Sequence, residues 1–284
     1  MGSIAKIALT ALCISLVSPL QAMAAADKHA KTAPSAGAKG KVNAKAFAAN
    51  VEGVALMKAD KPQEALAKFN EAIQENPKYA RAYANRAGIH MTERNYKAAL
   101  EDCNKAVELN PKLDVAYVNR AWAELHLNQH AKALADCDEA LKLSPKLHIA
   151  FVNRSHALNK LGRHKEAIDD ANKAIELKPD MAVSYVNRAH AMIATKEYDK
   201  AVVDCDKAIS LDPKLARAFA NRGHAYMHLK KMDLALADIN KALELDPKLG
   251  AAYYNRAELY RHMAAEDSEK AAKLGYSRPE KSNN

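Results

Sequence analysis

Little in this chain breaks a helix and little builds a sheet. Among 284 residues there are only 9 Gly and 10 Pro, which excludes collagen-like and Pro/Gly-rich disordered chains. Aromatics are scarce at 6%, with a single Trp, while Ala, Leu, Lys and Asn are plentiful, a balance that favours helices over sheets. The longest apolar run, residues 7–20, is interrupted by Thr, Ser and Pro and is too short for a transmembrane helix. No glycine-rich phosphate loop, G-x-S-x-G, H-E-x-x-H or C-x-x-C occurs. These absences point away from an enzyme and leave no expected catalytic residue, cofactor or metal.

The formal charge of +9 invites a nucleic-acid or polyanion partner. Its distribution argues otherwise. Lys6 stands in the leader, and Lys28, Lys31, Lys39, Lys41 and Lys45 face a single Asp27 in the next stretch, so more than half of the excess belongs to residues 1–45. Residues 1–26 read as a secretory signal peptide: a charged start, a short apolar run, then Ala22-Met23-Ala24-Ala25-Ala26, with cleavage after Ala24 or Ala26. Export to a periplasmic or extracellular space is expected, a cytoplasmic location being the alternative, with no transmembrane segment in the mature chain. Residues 27–45, rich in Ala, Lys and Gly, read as a basic linker.

The body repeats. Pro77, Pro111, Pro145, Pro179, Pro213 and Pro247 fall 34 residues apart, and an Asn-Arg pair keeps the same step from Asn85-Arg86 to Asn255-Arg256. Self-similarity at this period is the signature of a helical solenoid. Each unit reads as two helices. In the second, Tyr83, Ala87 and His90 mark one face of a first helix, and Tyr96, Ala99, Leu100, Cys103, Ala106 and Val107 mark the stripe of a second. Asn110-Pro111 stops it, because the residue before proline avoids the helical region. Small residues recur where the two helices cross: Gly53, Ala87, Ala121, Ser155, Ala189 and Gly223 on the first, Ala65, Ala99, Ala133, Ala167, Ala201 and Ala235 on the second.

With an aromatic at Tyr83, Tyr117, Phe151, Tyr185, Phe219 and Tyr253 and the closing proline, the chain resembles the tetratricopeptide-repeat family over residues 46–264. The resemblance implies an all-α, right-handed superhelical solenoid, with first helices lining a concave groove. Six full units span 46–249, and a shortened seventh begins at Gly250. There Asp267-Ser268-Glu269-Lys270-Ala271 resembles Asp204-Cys205-Asp206-Lys207-Ala208 but arrives about five residues early; residues 257–276 read as a capping segment and 265–284 as cap and tail. Glu124 departs from the family pattern, standing where an apolar or aromatic residue is preferred.

Arg86, Arg120, Arg154, Arg188 and Arg222 on first helices recur with Asp102, Asp136, Asp170, Asp204 and Asp238 on second helices, and in unit one both signs reverse as Glu52 and Lys68. A double swap implies an ion pair within each unit, a stapled scaffold in preference to arginines offered to an acidic ligand. Cys103, Cys137 and Cys205 share one second-helix slot with Phe69, Ala171 and Ile239, the behaviour of small core hydrophobes. Their spacing is too wide for disulfides, and three free thiols are unusual in an exported chain.

The expected site is the first-helix face. Asn85, Asn119, Asn153, Asn187, Asn221 and Asn255 recur once per unit, although Asn is a mediocre helix former. An amide donates and accepts at once, which suits a peptide backbone. The row resembles the asparagine ladder in the repeat domain of O-linked N-acetylglucosamine transferase, which grips substrate backbone; alternatively, these amides bond neighbouring first helices and hold the superhelix. Three residues on stand Trp122, His156, His190 and His224. Trp122 is either an anchor for an apolar ligand side chain or inter-repeat packing. The histidines would give a pH-sensitive groove or a His224–His228 metal pair, and otherwise are solvated polar residues. The chaperone-tail carboxylate clamp is absent, since only Asn85 of its five places matches. The expected function is a protein–protein adaptor or assembly scaffold binding extended peptide segments, the alternatives being a self-associating solenoid without groove ligand, or weak nucleic-acid or polyanion binding through the basic linker.

Overall fold

A computed structural model describes residues 43–276. The expected leader, all but three residues of the basic linker, and the tail from residue 277 lie outside the described residues. Thirteen α-helices and no strand occur among the described residues. They are α1 (Ala44–Lys58), α2 (Pro62–Glu75), α3 (Ala80–Thr92), α4 (Tyr96–Leu109), α5 (Asp114–His126), α6 (His130–Leu143), α7 (His148–Lys160), α8 (His164–Leu177), α9 (Ala182–Ala194), α10 (Tyr198–Leu211), α11 (Ala216–His228), α12 (Met232–Leu245) and α13 (Gly250–Lys273). The architecture is an all-α helical-repeat solenoid. Its first helix starts at Ala44, two residues before the expected 46, because the Asn43 side chain accepts the Lys45 N–H and caps the helix.

Two compact units divide the chain, Met1–Ala191 and Met192–Asn284. In the first, α1 packs on α2, α3 on α4, α5 on α6 and α7 on α8, while α5 also touches the first helices α3 and α7 on either side. In the second, α11 packs on α12 and both meet α13. Each second helix ends before a proline: Asn76, Asn110, Asp212 and Asp246 leave the helical region, with ψ of 92, 91, 94 and 93°. The proline then fixes the next helix, since its carbonyl accepts the hydroxyl of Tyr83, Tyr117, Tyr185 or Tyr253 six residues on.

The core is built from small side chains. Ala65, Ala99, Ala133, Ala167, Ala201 and Ala235 are fully buried, as are Ala87, Ala121 and Ala189 on the facing helices. The slots are matched in size. A Cβ placed on Gly53 would sit 2.5 Å from the Phe69 ring, and one on Gly223 would sit 2.8 Å from Ile239. Glycine therefore stands opposite the bulky side chains, whereas Ala or Ser stands opposite Cys103, Cys137, Ala171 and Cys205. The three free thiols are fully buried fillers of this slot, and burial raises their pKa above the ordinary thiol range.

Candidate functional site

The charge pattern forms as a clamp. Arg86, Arg120, Arg154 and Arg222 each grip the aspartate of their own unit through two hydrogen bonds of 2.6–2.8 Å, to Asp102, Asp136, Asp170 and Asp238. In unit one the reversed pair Lys68–Glu52 closes at 2.9 Å. The sequence pattern did not reveal the third partner: each Arg Nη1 also reaches back one helix, to Asn70, Asn104, Asp138, Asn172, Asp206 or Asn240. The guanidinium lies 5.3–5.7 Å from the ring three residues before it. An Arg held by a fork, a second acceptor and an aromatic face is a joint between helices. These arginines belong to the scaffold.

The asparagine row is likewise built into the helix packing. The Nδ2 groups of Asn119, Asn153 and Asn187 donate to the carbonyls of Ala84, Val118 and Val152 on the preceding first helix, at 3.0, 3.4 and 3.1 Å. In the second unit Asn255 does the same to Ala220 at 3.1 Å. Asn85 donates instead to the Asn50 side chain at 2.8 Å, a buried partner the sequence pattern did not single out. Asn221 is half-buried. One half of each donating amide thus ties first helix to first helix, as the second of the two expectations had it. The other half differs along the row: the Oδ1 atoms of Asn119 and Asn153 are buried and have no hydrogen-bond partner.

The four residues one turn further on do not form a uniform row. Trp122 is 9% exposed and lies in the core cluster with Leu125 and Ala121, edge-on to Tyr96 and His126. Tyr96 and His126 stack at 4.2 Å. This is inter-repeat packing, and it leaves little of the indole for a ligand. His156 is also buried, His224 is half-buried and His190 is exposed. Around His190 a polar patch collects. Asn159 Nδ2 donates to the Asn187 carbonyl at 2.8 Å, its Oδ1 faces His164 Nδ1 at 3.3 Å, and the His164 and His190 rings are 6.4 Å apart. Asn159 stands where the other five full units carry Met, Leu or Ile, and that apolar-to-polar change was the signal available in the sequence.

In the second unit the slots of Tyr96, Trp122 and His126 hold Tyr198, His224 and His228. Tyr198 stacks on His228 at 4.4 Å, and the two histidines are 5.1 Å apart. Burial, then the neighbouring His228, lowers the pKa of His224; burial, then His262 and Lys196, lowers that of His228. Charging this pair needs a lower pH than an ordinary histidine requires. No cluster of three or more His, Cys, Asp or Glu with the geometry to hold a metal ion occurs among the described residues.

Models of the tetratricopeptide repeat match residues 50–114, 115–147, 149–181, 182–215 and 216–249. The chain belongs to the tetratricopeptide-repeat family. No curated protein matches it in sequence. Solved structures share the fold at low identity. The Cut9–Hcn1 hetero-tetramer of the APC/C matches with a TM-score of 0.67 and 19% identity over 76% of this chain, which spans 42% of that one. The type IV pilus biogenesis factor PilW matches at 0.63 and 19%, covering 75% of this chain and 98% of its own. YrrB, described as a tetratricopeptide-repeat protein with an unusual peptide-binding site, matches at 0.50 and 24%, covering 66% and 97%. No helix among the described residues is long and apolar enough to cross a membrane.

Proposed function

We propose that this chain is a non-enzymatic protein–protein interaction scaffold whose first-helix face binds extended segments of other proteins. The observation that carries the proposal is the divided role of the asparagine row. Donation from Nδ2 to a neighbouring carbonyl fixes each amide, and the Oδ1 atoms of Asn119 and Asn153 are left without a partner. A carbonyl-type acceptor held in place is complementary to a peptide N–H, and a buried acceptor left unpaired costs about 1–3 kcal/mol. Asn119 and Asn153 are 1% and 0% exposed, so a bound backbone satisfies both oxygens only when the first-helix face opens around them, and exposed His190 with the neighbouring His164 supplies the side-chain contacts. The apolar anchor is not Trp122, whose ring is already spent on Tyr96 and His126. Export to a periplasmic or extracellular space is part of the same proposal and rests on the leader-like pattern of residues 1–26.

The test is quantitative affinity capture from the native compartment with wild type and with Asn119→Ala/Asn153→Ala, each checked for helicity and melting. Loss of the same set of partners from a folded double variant is the expected result. Full retention of those partners by a variant that melts like wild type overturns the role of the asparagines.

A further inference from the structure

The seventh repeat is a hairpin without its turn, and both halves of its interface survive in one helix. In complete units the first helix presents an aromatic, then Arg and a small residue, as in Phe219, Arg222 and Gly223; the second answers with Ala-x-x-Asp, as in Ala235 and Asp238. Helix α13 contains the first pattern as Tyr253, Arg256, Ala257 and Tyr260. It also contains the second. Ala264-Ala265-Glu266-Asp267-Ser268-Glu269-Lys270-Ala271 follows Ala201-Val202-Val203-Asp204-Cys205-Asp206-Lys207-Ala208 position by position in its Ala, Asp, acidic, Lys and Ala places. Between the halves the residues equivalent to 229–231 are missing, together with two from the start of the second helix. The turn is gone, and the chain runs on as one helix from Gly250 to Lys273.

The consequence is an interface with no partner among the described residues. Asp267 lies eleven residues beyond Arg256 in the same helix, about 16 Å along the axis, so the two cannot meet. Arg256 keeps the backward contact to Asn240 at 3.3 Å and its place over Tyr253, with no Asp in the fork. Ala257 is exposed, although every residue in its slot from Gly53 to Gly223 is buried, and Tyr253 and Tyr260 are 48% and 51% exposed.

We propose that two copies of this chain pair antiparallel through α13, each lending Ala264–Ala271 as the second helix of the other's seventh repeat. Charge selects this occupant. Residues 250–262 carry Arg256 and Arg261 against Glu258, while residues 263–273 carry Glu266, Asp267 and Glu269 against Lys270 and Lys273. An antiparallel pair lays the positive half on the negative half twice, around a two-fold axis near Arg261. Both Arg256–Asp267 contacts then form, and Ala257 meets the partner's Ala264 at the close crossing. Shortening a hinge until a hairpin cannot close is the usual route to exchange between protomers.

The test is sedimentation equilibrium of the full chain from roughly 1 to 100 µM. Wild type is expected to dimerise in this range. Arg256→Asp and Asp267→Arg each place like charges at both contacts and weaken the dimer by about tenfold or more. Mixing these two variants restores opposite charges at both contacts and returns the dimer, an outcome misfolding cannot mimic. Inserting copies of residues 229–231 before Met263 and of 233–234 after it lets the hairpin close within one chain and yields a monomer. A wild type that stays monomeric, a dimer indifferent to either charge reversal, or a mixture that remains monomeric overturns the proposal.

Discussion

Gly223 and Ile239 are a matched pair, as are Gly53 and Phe69, and the match explains side chains that look arbitrary one at a time. With Cβ only 2.8 Å from Ile239, Gly223→Ala should destabilise by about 1–3 kcal/mol through overpacking. Ile239→Cys, the pairing found at Ala87–Cys103, should recover most of the loss in a chemical-denaturation series. Glu124 breaks the same economy on the first helix. It is buried, and burial followed by the Asp136 carboxylate pushes it up to about 7 against the pull of Arg120 and Lys132. A carboxyl group neutral when folded and ionised when unfolded costs nothing below about pH 4.5. Between there and about pH 7 stability falls as pH rises, and above pH 7 the loss is complete. Glu124→Gln should therefore raise the melting temperature at pH 8 by a few degrees and leave it nearly unchanged at pH 4.5. Leu158, in the same slot of unit four, shows what an ordinary occupant looks like.

At the scale of elements, the turns inside the repeats share one backbone device. Asp60, Arg94, Asn128, Gly162, Lys196 and Lys230 all take positive φ, between 57 and 75°, to reverse the chain between first and second helix. Only Gly162 does so without steric cost. Lys230→Gly should stabilise the α11–α12 hairpin by up to about 1 kcal/mol, measurable as a higher denaturation midpoint. The aromatic stacks respond to acid in the opposite sense to Glu124. His224 and His228 have pKa values lowered by burial and by neighbouring positive groups, so their neutral forms support the fold above about pH 6.5, and that support is lost as pH falls through the lowered values. Melting of the second unit should drop below pH 6, and His224→Gln with His228→Gln should flatten the drop.

For the whole molecule, the clamp arginines are paired within the fold, and more than half of the basic excess sits in residues 1–45. Deleting residues 27–42 should remove most salt-sensitive retention on heparin while melting stays unchanged; retention that persists would place a polyanion surface on the helices. The period of 34, the helix pairs, the ion pairs and the small crossing residues were all legible in the sequence because each is a local or strictly periodic demand. A proline ends a helix wherever it stands, and an Arg and Asp that change sign together announce their contact. The site was less legible. Asn119 recurs once per unit and Trp122 stands three residues on, but periodicity does not say whether a polar atom faces a neighbouring helix or a ligand.

The sequence alone determined a helical repeat with stapled units, since hydrophobic period, proline punctuation and charge covariation are one-dimensional signals. Tertiary structure decided where each amide and ring is spent: Nδ2 of Asn153 on the Val118 carbonyl, Trp122 on Tyr96 and His126, the third arm of each arginine on the preceding helix. It also decided that a repeat five residues short becomes one continuous helix with both halves of an interface exposed. Hydrogen-bond partners and burial depend on neighbours tens of residues away, and only packing in three dimensions brings those neighbours within reach.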